Sequence, residues 1–145
     1  YGKGVKGNFA SLLKLARFPI PLPFGSIQNK RSFVSVENLV DLIVVCLNHP
    51  NAKNQTFLVS DDDDMSTSII FSRLADAGGY KAYIFSFPLI LLSISLRVLG
   101  KSAIYERLCG SMQVNIDYTK SQLGWKPPFK VKDSLSSCWL VDTER

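Results

Sequence analysis

Histidine occurs once in this chain, at His49, and cysteine three times, at Cys46, Cys109 and Cys138. The cysteines are odd in number, widely spaced and without a CxxC or histidine partner. That pattern gives neither a disulfide framework nor a zinc site, and they read as core or surface thiols. No Gly-x-Ser-x-Gly elbow, His-Glu-x-x-His or paired-carboxylate arrangement is present, so the common hydrolase chemistries have no footing. The 17 basic and 12 acidic side chains leave a net charge of +5 but form no dense Lys/Arg block. This balance suits an anionic small ligand or a generally basic surface and does not call for nucleic acid.

Long apolar runs are also missing. The uncharged stretch from Ala82 to Leu96 has 15 residues and is divided by Pro88, whereas a spanning helix needs roughly 20. A buried strand followed by an apolar helix from Pro88 to a stop at Gly100 explains it better than membrane insertion. Attachment to a membrane surface through Phe85 to Leu96 is a weaker alternative. No basic-then-apolar leader with a small-residue cleavage site begins the chain, which points to the cytoplasm. An initiator methionine is absent too, and the opening Tyr1-Gly2-Lys3-Gly4 reads as the interior of something longer.

At 145 residues, 46% hydrophobic and 20% charged, the chain can bury one core, and a single domain over 1–145 is expected. The patterning predicts mixed α/β architecture, with helices packed around short strands. Asn8 is expected to cap a first helix with Phe9, Leu12, Leu13 and Ala16 at helical spacing, ending before the proline run 19–23. Strands are expected at 31–36, 55–60 and 82–87, with a short element near Val114. Helices are expected at 36–47, from Ser66 or Thr67 through Ala77, from Pro88 to Leu99, at 118–123, and from Val131 or Asp133 through Trp139.

Two apparent motifs have plain readings. Gly2-x-Gly4-x-x-Gly7 matches the letters of a dinucleotide fingerprint, but no strand precedes it and the first acid after it is Glu37. Asp61 to Asp64 lacks the spaced ligands, turn glycine and distal glutamate of a calcium loop, and reads as a solvated loop before a helix. His49, beside Pro50, reads as a cap or a surface residue. No metal site is expected.

The positive signal is an ordered set of segments: Tyr1-Gly2-x-Gly4, Asn8-Phe9, Leu22-Pro23-Phe24-Gly25, Arg31-Ser32-Phe33-Val34-Ser35-Val36-Glu37-Asn38-Leu39-Val40-Asp41 and Leu123-Gly124-Trp125-Lys126-Pro127. Over nearly the whole chain this resembles the C-terminal, substrate-binding part of extended short-chain dehydrogenase/reductases, the NAD-dependent nucleotide-sugar epimerase/dehydratase family. It looks most like the bacterial group that makes O-antigen and capsule sugars. The resemblance implies a nucleotide-diphosphate sugar, with a UDP-sugar favoured, as ligand. Asn8 and Phe9 would lie near the diphosphate, Pro23 and Phe24 along the base, and Arg31 on the phosphates, with Arg107 as the nearest match to a second phosphate arginine. Asn8 also reads as a plain helix cap, Phe24 as core and Arg31 as a surface arginine. Lys3 departs from the family's usual proline in the Tyr-Gly loop, and Leu108-Cys109-Gly110-Ser111 departs from the pattern after the second arginine. Ser111 and Gln113 are further polar candidates for ligand contact.

No tyrosine here is followed four residues later by lysine, so the family's catalytic pair is absent, as is its cofactor motif. The resemblance therefore implies a chain that binds substrate without turnover and has no cofactor of its own. NAD(P) would belong to the full-length enzyme, whose N-terminal Rossmann domain would be the partner of this part. An isolated half would expose apolar surface and tend to homodimerise or aggregate. The alternative is a stand-alone binding or scaffold domain of the same fold.

Overall fold

The computed structural model describes residues 1–140. These form seven α-helices: α1 (Gly7–Ala16), α2 (Val36–Asn48), α3 (Thr67–Ala77), α4 (Leu89–Val98), α5 (Ser102–Cys109), α6 (Asp117–Leu123) and α7 (Val131–Ser137), with a 3-10 turn at Pro50–Ala52. The chain divides into two compact units. Among the described residues, one holds Tyr1–Val5, Ser32–Asp64 and 113–140; the other holds Lys6–Arg31 and Met65–Met112.

The short strands expected of a mixed α/β architecture are not seen among the described residues. Among the described residues only isolated pairings occur: Leu22 with Ile84, and Arg31 with Met65 and with Met112. The reasons are local. Pro21 and Pro23 flank Leu22 and have no N–H, so a ladder there cannot extend past one residue on either side. At 55–60 the Leu58 carbonyl is taken by the Thr119 hydroxyl at 2.6 Å rather than by a neighbouring strand. At 31–36 the pairing comes from Tyr1, whose nitrogen donates to the Val34 carbonyl and whose carbonyl accepts from Val36 N, each at 2.8 Å.

The first unit is organised by α2. Ser35 caps it, its hydroxyl accepting from Asn38 N at 3.2 Å. Leu42 on the inner face packs with Ile116, Leu123 and Trp125, and the Trp125 indole donates to Asp41 Oδ1 at 2.7 Å. Gly2 packs so closely on the start of α2 that a Cβ there would lie 3.1 Å from Val36 Cβ. That contact accounts for a glycine of the apparent fingerprint without any phosphate. Outward on α2, Val40, Ile43, Val44 and Leu47 are at least half exposed, Leu47 reaching 79%.

Asp61 is not the solvated residue expected of an acidic run. It is buried, and its carboxylate accepts from Tyr1 Oη at 2.6 Å, Asn38 Nδ2 at 2.7 Å and Ser35 N at 3.0 Å. Asn38 completes the junction by pairing both faces of its amide with the Phe129 backbone, at 2.9 and 3.0 Å. Burial, reinforced by donation to Asp61, pushes the Tyr1 phenol far above its ordinary range. His49 is a cap: its Nδ1 accepts from Asn51 N at 3.2 Å.

In the second unit α1 packs against α3, and α4 against α5. Ser66 caps α3 by accepting from Ile69 N at 3.2 Å, and Gly78 closes the helix. Ile70, Phe71, Leu74 and Ala75 form its buried face. The expected cap at Asn8 is displaced. Helix α1 begins at Gly7 behind Lys6, which makes no side-chain cap bond, so Asn8 sits inside the first turn.

Candidate functional site

All six residues expected to bind substrate, Asn8, Phe9, Pro23, Phe24, Arg31 and Arg107, belong to the second unit. They are presented in three places. Asn8 is exposed in the first turn of α1, with Phe9 half-buried beside it. The start of a helix carries positive potential, which is favourable to anions.

Pro23 and Phe24 lie on the extended path after α1. That path is pinned where Leu22 N donates to the Tyr83 carbonyl at 2.8 Å, and where Phe85 N and Gly25 N bond to the Leu22 and Phe85 carbonyls, each at 3.0 Å. Gly25 is required by this approach, since a Cβ would sit 2.8 Å from both Phe85 C and Ser86 N. The Phe24 ring points inward, 5% exposed, and meets Phe71 edge-on at 5.8 Å between centroids. Its carbonyl accepts from the Ser68 hydroxyl and from Ile27 N. What this segment offers outward is Pro23, half-buried, and main-chain atoms.

Arg31 and Arg107 are brought together. Arg31 is half-buried, its backbone bonded twice to Met65 at 3.0 Å, and its Nη1 donates to the Arg107 carbonyl at 2.6 Å. That carbonyl belongs to the last turn of α5, the negative end of a helix dipole, which is a favourable seat for a guanidinium. The Arg107 side chain is exposed. One edge of the Arg31 fork is thus fixed, and a fork with several co-planar donors suits paired phosphate oxygens.

The residue that makes this arrangement possible, Asn29, stood in what looked like a plain polar turn. It is buried, 8% exposed. Its Nδ2 donates to the Leu108 carbonyl at 3.1 Å and the Gly110 carbonyl at 2.8 Å, and its Oδ1 accepts from Thr67 N at 2.9 Å. The Thr67 hydroxyl donates to the same Leu108 carbonyl at 2.6 Å, and Ser111 Oγ accepts from Lys30 N at 3.1 Å. One side-chain amide thereby ties the approach to Arg31, the start of α3 and the end of α5. Ser111 is used in this tie, and Gln113, in the other unit, donates to Asp64 at 2.6 Å.

Burial pushes the thiols of Cys109 and Cys138 up, away from the reactive thiolate. Among the described residues no group of His, Cys, Asp or Glu side chains is arranged to hold a metal ion.

No protein-family model matches the chain. It is 54% identical over 136 residues, 93% of its length, to a UDP-glucose 4-epimerase from Vibrio cholerae, and spans 42% of that protein. In fold it resembles the structure of RMD from Pseudomonas aeruginosa complexed with NADPH, with a TM-score of 0.65 and 18% identity, covering 96% of this chain and 43% of that one. A candidate epimerase from Burkholderia cenocepacia aligns with a TM-score of 0.59 and 20% identity, over 98% of this chain and 43% of that one. In sequence the chain is similar to a UDP-glucose 4-epimerase and in fold to these two solved structures, and it spans less than half the length of each.

Proposed function

We propose that this chain is the C-terminal, nucleotide-sugar-binding part of an NAD(P)-dependent epimerase, dehydratase or 4-keto-reductase, cytoplasmic and serving surface-polysaccharide sugar synthesis. The observation that carries the reading is the 54% identity to a UDP-glucose 4-epimerase across nearly the whole chain. Arg31, held by the end of α5, takes the diphosphate, and Arg107 supplies a second cation beside it. Asn8 and Phe9 offer an amide and a helix start to the same phosphates. Since the Phe24 ring is committed to Phe71, the main chain of Pro23 and Phe24, rather than an aromatic face, lines the base.

In the whole enzyme NAD(P) supplies the hydride chemistry. No tyrosine-lysine pair lies in this sequence, so this chain positions a sugar without moving its protons. The exposed stripe of α2, from Val40 to Leu47, is the surface that a Rossmann domain would cover, and without one the chain self-associates through it. The missing catalytic pair equally fits the second reading, a stand-alone binding or scaffold domain. Calorimetric titration with UDP and UDP-N-acetylglucosamine tests the binding function common to both. NAD-dependent turnover by a longer chain separates them.

A further inference from the structure

From Ala77 to Tyr105 the sequence carries Lys81, Arg97 and Lys101 and no acidic residue. Within this stretch α4 is apolar around most of its circumference, yet only one side is used by the fold. Leu92 is 7% exposed, while Ile90, Leu91, Ile94 and Val98 are 75%, 49%, 52% and 81% exposed. Residues 90, 94 and 98 recur every fourth position and so form one stripe along the helix, with Leu91 on its flank. Leu99 at 66% continues the stripe past the helix end. A helix apolar on all sides is ordinarily covered on all sides, and a contiguous exposed apolar patch marks an interaction surface.

The surrounding charge indicates what covers it. Arg97 lies in the last turn of α4, and Lys101 follows directly after the helix. A second copy docked through the same stripe with the two helices parallel would set these cations against their own images. An anionic lipid surface accepts both features, apolar side chains among the acyl chains and cations at the phosphates. Helix α4 has 10 residues, and among the described residues no helix is long and apolar enough to cross a membrane. The geometry is that of a helix lying along a surface.

We propose that α4 attaches the protein to anionic membrane, with Ile90, Leu91, Ile94 and Val98 in the interface and Arg97 and Lys101 on the headgroups. The test is flotation of the chain with vesicles of phosphatidylglycerol and phosphatidylcholine against vesicles of phosphatidylcholine alone. The chain floats with the former and much less with the latter. Ile94→Glu with Val98→Glu abolishes flotation, and Arg97→Glu with Lys101→Glu weakens it by at least about fivefold for each cation removed. Raising salt weakens it as well, through screening of the same cations. Circular dichroism stays unchanged in both variants, since all four side chains point outward, and Ile43→Glu with Leu47→Glu on α2 leaves flotation intact. Absence of flotation, equal flotation on phosphatidylcholine, or flotation indifferent to the α4 variants overturns the proposal. A dimer in gel filtration that Ile94→Glu dissolves, with no lipid binding, assigns the stripe to a second copy instead.

Discussion

The guanidinium of Arg31 donates to the backbone carbonyl of Arg107, 76 residues further along, at 2.6 Å. The bond fixes where the guanidinium points while leaving the rest of its donors for a ligand. It is partly open to solvent, so its contribution to stability is small. Arg31→Ala is expected to lower unfolding free energy by about 1 kcal/mol, the ordinary net value of one hydrogen bond, in urea denaturation. A loss several times larger would mean that Arg31 is chiefly a structural residue.

Asp61 carries more of the fold than its place in an acidic run suggests. Its carboxylate is buried and accepts three hydrogen bonds. Asp61→Ala leaves the Tyr1 hydroxyl, Ser35 N and one Asn38 donor without their acceptor and is expected to cost about 2–4 kcal/mol. Asp62→Asn, which removes a partly exposed ion pair with Lys120 while keeping a side chain that tolerates the left-handed backbone there, φ 58°, is expected to stay within about 0.5 kcal/mol. Equal effects of the two in denaturant titrations would contradict this account.

The same cluster predicts a dependence on alkaline pH. The folded chain holds the Tyr1 phenol protonated, by burial first and by the Asp61 hydrogen bond second, whereas the unfolded chain releases that proton near pH 10. Above about pH 10 the unfolded state therefore binds fewer protons than the folded state, and stability falls as pH rises. The buried Cys138 thiol, also pushed up, acts in the same direction from a lower pH. Tyr1→Phe is expected to flatten the part of the decline above pH 10 in denaturation series run from pH 8 to 11.

Gly25 gives a steric prediction. A methyl group there meets main-chain atoms of Phe85 and Ser86 at 2.8 Å, and backbone cannot step aside as a side chain tip can. Gly25→Ala is expected to destabilise by about 1–3 kcal/mol, the range for overpacking, read as a lowered thermal midpoint. An unchanged midpoint would show that the 22–25 and 83–85 segments are not held as closely as described.

Much of the helical frame was legible because its signals are local. Ser66 at the start of α3, Gly78 at its end, Pro88 before α4 and Gly124 after α6 each mark a boundary by their own backbone chemistry. Helix α5 went unseen: it has no side-chain cap at Lys101 and little apolar bias, and its place is set by packing against α4. The strands were over-read because alternation reports one buried face and says nothing of whether a partner backbone lies alongside. The roles of Asn29 and Asn38 were illegible for a different reason. Their partners lie up to 81 and 91 residues away in sequence, and no local pattern announces such a bond. Of the residues expected to bind substrate, Arg31 keeps a donor fork suited to an anion, whereas the aromatic face suggested by Phe24 is spent on the core.

The most direct measurement is calorimetric titration of UDP and UDP-N-acetylglucosamine into the chain, beside Arg31→Ala and the milder Arg31→Lys, each first confirmed folded by circular dichroism. The account predicts binding by the unaltered chain, loss in Arg31→Ala by at least about tenfold as a charge-assisted phosphate contact disappears, and partial retention in Arg31→Lys. Equal affinity in all three chains, or no binding by the unaltered one, would contradict a nucleotide-diphosphate site at Arg31 in this chain.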